Sequence, residues 1–282
     1  MNKLNKEDRI KVLASLVEGN SIRSTVRMTG VAKNTVVKLL VDAGVACAEY
    51  QDKALRNLTC KKIQLDEIWS FCYSKQNNVP KEKRNQFGFG DVWTWVALDP
   101  ETKLVASWLV GQRNIEWADV FMKDVKKRLA NRVQITSDGH RVYIEAIENA
   151  FGSEVDYAML VKLYGKEVGG EYRYSPPACI GCRRRKIMGN PDKKAVSTSM
   201  VERQNLTMRM SMRRFTRLTN AFSKKVENLE HAVALHFMYY NFVRIHNTLR
   251  VTPAMAAGVT EKLWDLADIV ELIEQNENKD SN

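Results

Sequence analysis

The chain has no run of about eighteen apolar residues free of charge; its most apolar stretch, Ala232 to Val243, is short and broken by His236 and Asn241. A membrane span is excluded on that ground. The first residues, Met1 to Leu16, mix charged and apolar side chains and lack the uninterrupted hydrophobic segment of a secretory leader, so a cytoplasmic location is expected. Cysteine is scarce and odd in number: five thiols scattered over 282 residues make no disulfide framework and suit a reducing compartment. Cys179 and Cys182 form a CxxC, yet no second pair or nearby histidine completes a zinc site, and reduced thiols in a loop are the expected state. Acidic residues are in deficit, 33 against 44 Lys and Arg, which leaves a formal charge of +11. Such an excess attracts polyanions, of which nucleic acid is the commonest. With 44% hydrophobic and 27% charged residues the composition is that of an ordinary globular protein, against global disorder and against a fibrous or repeat architecture.

Residues 5 to 43 read as three short helices. Asn5 caps the first, which buries Ile10, Leu13, Leu16 and Val17 and stops at Gly19-Asn20. Ser21 caps the second, and Gly30 sits where a tight turn needs positive φ. The third, Ala32 to Asp42, leaves Lys33, Asn34, Thr35 and Lys38 outward. This layout resembles the helix-turn-helix family, whose last helix reads base edges and phosphates. Val45 to Thr59 then reads as a linker or connecting helix, with a boundary near Asn57.

Beyond it the pattern becomes extended. Lys62 to Tyr73, Val92 to Leu98 and Leu104 to Gly111 predict an antiparallel meander of three strands. A helix over Trp117 to Leu129, a strand over Val133 to Thr136, a helix over Arg141 to Phe151 and a strand over Val155 to Leu163 follow. The order βββαβαβ predicts an α/β fold with a mixed five-stranded sheet flanked by helices. Tyr164 to Thr198, with its Gly and Pro pairs, CxxC and Arg183-Arg184-Arg185-Lys186 run, reads as a long basic loop, either DNA-facing or a surface excursion. Helices are expected over Met200 to Arg217, Asn228 to Val243 and Leu263 to Ile273, with a frayed polar tail after Glu274.

Three acids fall at informative places on this scheme: Asp66 within the first strand, Asp138 just past the fourth, and Glu202 at the start of the following helix. The first and fourth strands of such a sheet are commonly neighbours, and the helix can carry Glu202 across to them. Converging carboxylates raise one another's pKa, and the usual relief is Mg²⁺ or Mn²⁺, hard cations that take oxygen ligands. Two such ions activate a water or a 3′-hydroxyl for in-line attack at phosphorus. Each acid has a plainer role to set beside this one. Asp66 can lie on a solvated strand face, Asp138 can cap the helix near Arg141, and Glu202 can close a capping box with Ser199. Glu171, in a Gly-rich segment, is the weaker competitor for the third place, and His140 and His246 are left outside the set. From Lys193 to Lys225 Glu202 is the only acid among Lys193, Lys194, Arg203, Arg209, Arg213, Arg214, Arg217, Lys224 and Lys225. On one continuous helix Arg209 and Arg213 recur on the face of Glu202, where guanidiniums can hold phosphates.

Three segments resemble the motifs of DDE transposases from bacterial insertion sequences: Leu65-Asp66-Glu67-Ile68-Trp69, Thr136-Ser137-Asp138-Gly139-His140 and Val201-Glu202-Arg203-Gln204-Asn205. Arg209, seven residues after the glutamate, is similar too, as is Tyr240-Asn241-Phe242-Val243-Arg244-Ile245-His246 through Leu249, Thr252 and Pro253. The resemblance spans essentially the whole chain and implies an N-terminal helix-turn-helix unit (residues 1–57), a ribonuclease H-like catalytic core shared with retroviral integrases (58–250) carrying a basic insertion (165–198), and a C-terminal helix with its tail (251–282). It further implies two Mg²⁺ ions held by Asp66, Asp138 and Glu202, and cleavage of double-stranded DNA at element ends followed by strand transfer into target DNA. A homo-oligomer acting on DNA in a bacterial nucleoid, with no membrane partner, completes that picture. Lys33, Asn34, Thr35, Lys38, Arg183, Arg184, Arg185, Lys186, Arg203, Arg209, Arg213 and Arg214 are the expected DNA contacts. One departure is the spacing of 64 residues between Asp138 and Glu202, wider than in many members, which the basic insertion accounts for. The alternatives are a nuclease on the same fold that cuts without joining, and a non-catalytic DNA-binding regulator.

Overall fold

A computed structural model of the chain describes residues 4–165, 179–216 and 220–279. Its central sheet holds β1 (Lys62–Cys72), β2 (Gly90–Leu98), β3 (Val105–Gly111), β4 (Val133–Ser137), β5 (Val155–Tyr164) and β6 (Cys179–Met188), side by side in the order β3-β2-β1-β4-β5-β6. β1 to β3 form the expected antiparallel meander, β1 lies parallel to β4 and β4 parallel to β5, and β6 returns antiparallel along β5. The sheet therefore has six strands where the sequence pattern indicates five. Arg183 to Lys186 carry no alternation of apolar and polar residues, because β6 is an edge strand with its central residues exposed on both faces. Its backbone hydrogen bonds to β5, and not burial, make it a strand.

Strand alternation divides the apolar side chains into two layers. On one face Leu65, Trp95 and Ile135 pack with Phe121 of α4 (Ile115–Arg128) and with Tyr143 and Ile147 of α5 (Val142–Phe151). On the other, Ile68, Val96 and Val110 pack with Met208 of α6 (Ser199–Ser211) and with Leu229 and Phe237 of α7 (Val226–Met238). α6 is shorter than the sequence pattern indicates. It ends at Ser211, Met212 is extended, and Arg213–Phe215 form a separate short turn, so Arg213 does not share a helix face with Glu202, whereas Arg209, two turns on within α6, does. Arg217 lies outside the described residues.

The N-terminal residues form α1 (Lys6–Val17), α2 (Ile22–Thr29) and α3 (Lys33–Ala54). Asn5 and Ser21 cap the first two as expected, accepting from the amides of Asp8 and Ser24, and Gly30 ends the second at φ 72°. α3 does not stop at Asp42. It runs on to Ala54, so most of Val45 to Thr59 takes the helical of its two alternatives, and Gly44 lets the helix press against α7, where a β-carbon would stand 2.3 Å from Cβ of His231. Past α7 a π-type turn, Tyr239–Val243, leads to α8 (Pro253–Ala256) and α9 (Leu266–Lys279). The tail after Glu274 is thus helical and not frayed as far as Lys279. Acids of α9 serve the N-terminus: Glu277 and Glu271 pair with Arg9 (3.3 Å) and Lys6 (2.7 Å). No helix among the described residues is long and apolar enough to cross a membrane.

Candidate metal centre

The site follows from strand register. The parallel ladder of β1 on β4 ends at the pair Leu65 and Ser137, so Asp66 and Asp138 are the next residues along each chain. β4 stops there while β1 continues along β2, which opens a notch at the carboxyl end of the parallel pair. Asp66, Glu67 and Asp138 each place a carboxylate oxygen in that notch, all within 4.8 Å of one another. Asp66 Oδ1 accepts from the amide of Glu67 (2.9 Å), and its Oδ2 from Asn205 Nδ2 of α6 (2.8 Å). Asp138 Oδ1 accepts from the amide of His140 (2.9 Å). Glu67 is the most enclosed, with its side chain 1% exposed, an ion pair to Arg113 at 3.4 Å, and an Oε1 that has no hydrogen-bond partner among the described residues.

Burial, followed by the charge of Asp138, pushes Asp66 up to about 7, against the pull of the Glu67 amide and Asn205. The same two causes push Glu67 up to about 7, with Arg113 opposing. Carboxylates so crowded are stabilised as a trio of anions only by added positive charge. The donors are all hard oxygens, and one of them is buried and unsatisfied, so the residues fit a Mg²⁺-type cation.

Glu202 stands over this group and not within it. Gln64, two residues before Asp66, accepts from the amides of Met200 (2.9 Å) and Val201 (3.1 Å) and so pins the start of α6 across β1. The capping box with Ser199 does not form, because Ser199 is already helical and Thr198 is the cap residue. The Glu202 carboxylate instead accepts from Thr198 Oγ1 (2.5 Å) and pairs with Lys162 Nζ of β5 (2.7 Å). Its charge still reaches Asp66 and contributes to raising it. The structure thus brings Asp66 and Asp138 together, adds Glu67, and holds Glu202 nearby on a salt bridge. Glu67 escapes a reading by strand alternation, which sends it to the opposite face. Asn205, one turn beyond Glu202, was legible only as a helix neighbour, and Lys162 and Gln64 left no signal. Glu171 lies outside the described residues.

The basic residues divide into exposed and more buried groups, and within the exposed one Arg184 Nε donates to the carbonyl of Val196 (3.4 Å). Lys33, Asn34 and Lys38 are exposed in the first turns of α3 with Thr35 half-buried beside them, and Lys38 pairs with Asp42 at 2.6 Å. Arg183, Arg184, Arg185 and Lys186 are exposed along β6, as are Arg203 and Arg213 elsewhere. Arg209 Nη1 donates to the carbonyl of Phe215 (3.2 Å) and Arg214 Nη1 to Ser223 Oγ (2.6 Å), while burial pushes Arg214 down to about 10. Cys179 and Cys182 are free thiols, exposed on β6 and not in a loop.

Among solved structures, the chain is similar to a piggyBac transposase synaptic complex with hairpin DNA, at 11% identity and a TM-score of 0.44, over 96% of this chain and 70% of that one. It is also similar to a Mos1 transposase paired-end complex with the left transposon end, at 12% identity and a TM-score of 0.21, over 52% of this chain and 57% of that one. No protein-family model and no curated protein sequence matches it.

Proposed function

We propose that the chain is a metal-dependent DNA phosphoryl-transfer enzyme, a DDE-type transposase that cuts the ends of a mobile element and joins them to target DNA. The observation that carries this reading is the β1/β4 register, which sets Asp66 and Asp138 side by side with Glu67 within 4.8 Å. The order of the first five strands, β3-β2-β1-β4-β5, is in keeping with a ribonuclease H-like core. The compact α1 to α3 array, with Lys33, Asn34 and Lys38 exposed, is in keeping with a helix-turn-helix unit.

Asp66, Asp138 and Glu67 would hold the cation, with Glu202 available from α6 once it leaves Lys162. Bound Mg²⁺ supplies charge neutralisation, a lowered pKa for the attacking hydroxyl and stabilisation of the leaving oxygen. The chain's own groups orient the ligands: Asn205 fixes the Asp66 carboxylate, the His140 amide fixes Asp138, and Arg113 favours the ionised form of Glu67. Exposed basic residues on α3 and β6 hold phosphate backbone. Two element ends must meet, so a homo-oligomer on double-stranded DNA is part of the proposal.

The test is to incubate the protein and Mg²⁺ with labelled end DNA and a plasmid. Joined products are expected. Cut ends without joining would favour a nuclease. Asp138→Asn is expected to abolish both products with duplex binding unchanged; retained cleavage would remove the proposed centre.

A further inference from the structure

The edge strand β6 carries a pair of thiols that the metal centre does not use. A register shift between Leu163 and Tyr164 sets Cys179 opposite Tyr164, Gly181 opposite Leu163 and Cys182 opposite Lys162. Ile180 is the extra residue of this bulge and is 71% exposed. On a regular strand two cysteines three residues apart point to opposite faces. The bulge absorbs one residue, so Cys179 and Cys182 share the face of Lys162, separated by two strand rises, about 6.5 Å. A disulfide tolerates Cα separations of up to about 6.8 Å. The two thiols also meet: Cys179 Sγ donates to the Gly181 carbonyl (3.3 Å), and desolvation followed by hydrogen bonding with Cys179 lifts the Cys182 thiol, with Lys162 opposing.

Ligand number and access restrict what the pair can do. A thiophilic cation such as Zn²⁺ takes four ligands. Among the described residues the one cluster of three possible ligands is Asp66, Glu67 and Asp138, so the thiols have no third donor beside them. Both are exposed, whereas Cys47, Cys60 and Cys72 are buried, and burial pushes Cys60 and Cys72 up to about 12. Reaction with a soluble disulfide is thereby confined to β6. Strand register gives such a bond its consequence. The central residues of β6 are exposed on both faces, so burial does little to fix their pairing with β5. A slip of one residue would turn Arg183 and Arg185 toward α6 in place of Arg184 and Lys186. A ring closed across the bulge excludes that slip, because removing the bulge would send the two sulfurs to opposite faces.

We propose that Cys179 and Cys182 form a reversible dithiol–disulfide site, oxidised by a small-molecule disulfide of the glutathione type, and that the bond pins β6 in this register. The Cys179 thiolate attacks one sulfur of the small disulfide, whose S–S bond breaks; one small thiolate leaves and a mixed disulfide remains on Cys179. Cys182, its proton given to water, then attacks the Cys179 sulfur, forms the Cys179–Cys182 bond and expels the second small thiolate. Two cysteine thiols are oxidised and one small disulfide is reduced to two thiols; excess small thiol reverses the exchange. The site does not depend on the DNA reading, although it adjoins the centre, since Cys182 lies opposite Lys162, which holds Glu202 at 2.7 Å.

The test exposes the native chain to glutathione disulfide, alkylates the remaining thiols after denaturation, and measures the mass of the product. The wild type is expected to lose two of its five alkylatable thiols together with two hydrogens, and its peptide map to show a Cys179–Cys182 link. Cys179→Ser and Cys182→Ser, both at exposed positions, are each expected to stop at a single glutathione adduct. Glutathione adducts that persist on the wild type, a link between two chains, or five thiols still free overturn the site. Amide hydrogen exchange then reads the register. The hydrogen-bonded amides among residues 183–186 are expected to exchange about tenfold more slowly in the oxidised chain than in the reduced one, and dithiothreitol to reverse the change. Equal exchange in the two forms overturns the pinning of β6. None of these measurements uses DNA, so failure of the thiol site and failure of the DNA reading are seen separately.

Discussion

At the residue scale the centre is an electrostatic compromise. Asp66 and Glu67, whose ordinary values are 3.8 and 4.5, each rise to about 7 in the folded chain through burial and the charge of Asp138. Between those limits the folded state holds protons that the unfolded chain has released, so stability falls as pH rises. The favourable contribution is complete below the unfolded values and lost above about 7. Metal-free protein in chelator is therefore expected to melt at lower temperature near about pH 8 than near about pH 5, at a cost of about 3 kcal/mol per group. Asp66→Asn removes one titrating group and flattens the profile, and Mg²⁺ restores the melting temperature at the higher pH. A profile identical in wild type and variant would show that Asp66 is not the group responsible. This sensitivity was not legible in the sequence, where Glu67 is only the neighbour of a candidate ligand.

At the scale of elements, contact geometry overrides local preference. A glycine inside a helix costs roughly 1 kcal/mol relative to alanine, so Gly44→Ala in an unpacked α3 would stabilise. Here the added methyl would meet His231 Cβ and Cα at 2.3 and 2.5 Å, and backbone does not yield as a flexible side chain does. Gly44→Ala is expected to destabilise by about 1–3 kcal/mol, read as a lower denaturant midpoint. β6 offers a second case. Its register against β5 pairs Arg184 with Leu160 and Cys182 with Lys162, the residue that bonds Glu202, so Arg184 and Lys186 share the sheet face covered by α6. Arg183 and Arg185 lie opposite Val161 and Met159, on the face of α4 and α5. A run that reads as one basic tract is thus two half-tracts. Arg184→Ala with Lys186→Ala is expected to reduce the salt slope of duplex binding by about 1 per lost phosphate contact, more than Arg183→Ala with Arg185→Ala. Equal effects of the two pairs would mean that the face does not matter.

Across the whole molecule the termini and the centre share one apolar cluster. Val12 and Leu13 of α1, Leu40 of α3, Ile63 of β1 and Ile269 of α9 all belong to it. α1 is tied to α9 through Arg9 and Lys6, and α3 lies along α7. Thermal unfolding followed by far-ultraviolet circular dichroism and by tryptophan fluorescence is therefore expected to give coincident transitions. The tryptophans lie from residue 69 onward, so an N-terminal unit that melted on its own would separate the two curves.

Helix caps at Asn5 and Ser21, the meander and the alternating βα units all rest on local periodicity and capping chemistry, and all are readable from neighbouring residues. So are two of the three clustered carboxylates, because Asp66 and Asp138 stand out from apolar strand neighbours. What lies between distant segments is not readable in that way. The β1/β4 register, the sixth strand, the anchoring of α6 by Gln64, the engagement of Glu202 by Lys162 and the entry of Glu67 into the centre each depend on pairing across tens of residues. Such pairings are decided by how the packed layers close on one another, a property no short window of sequence contains.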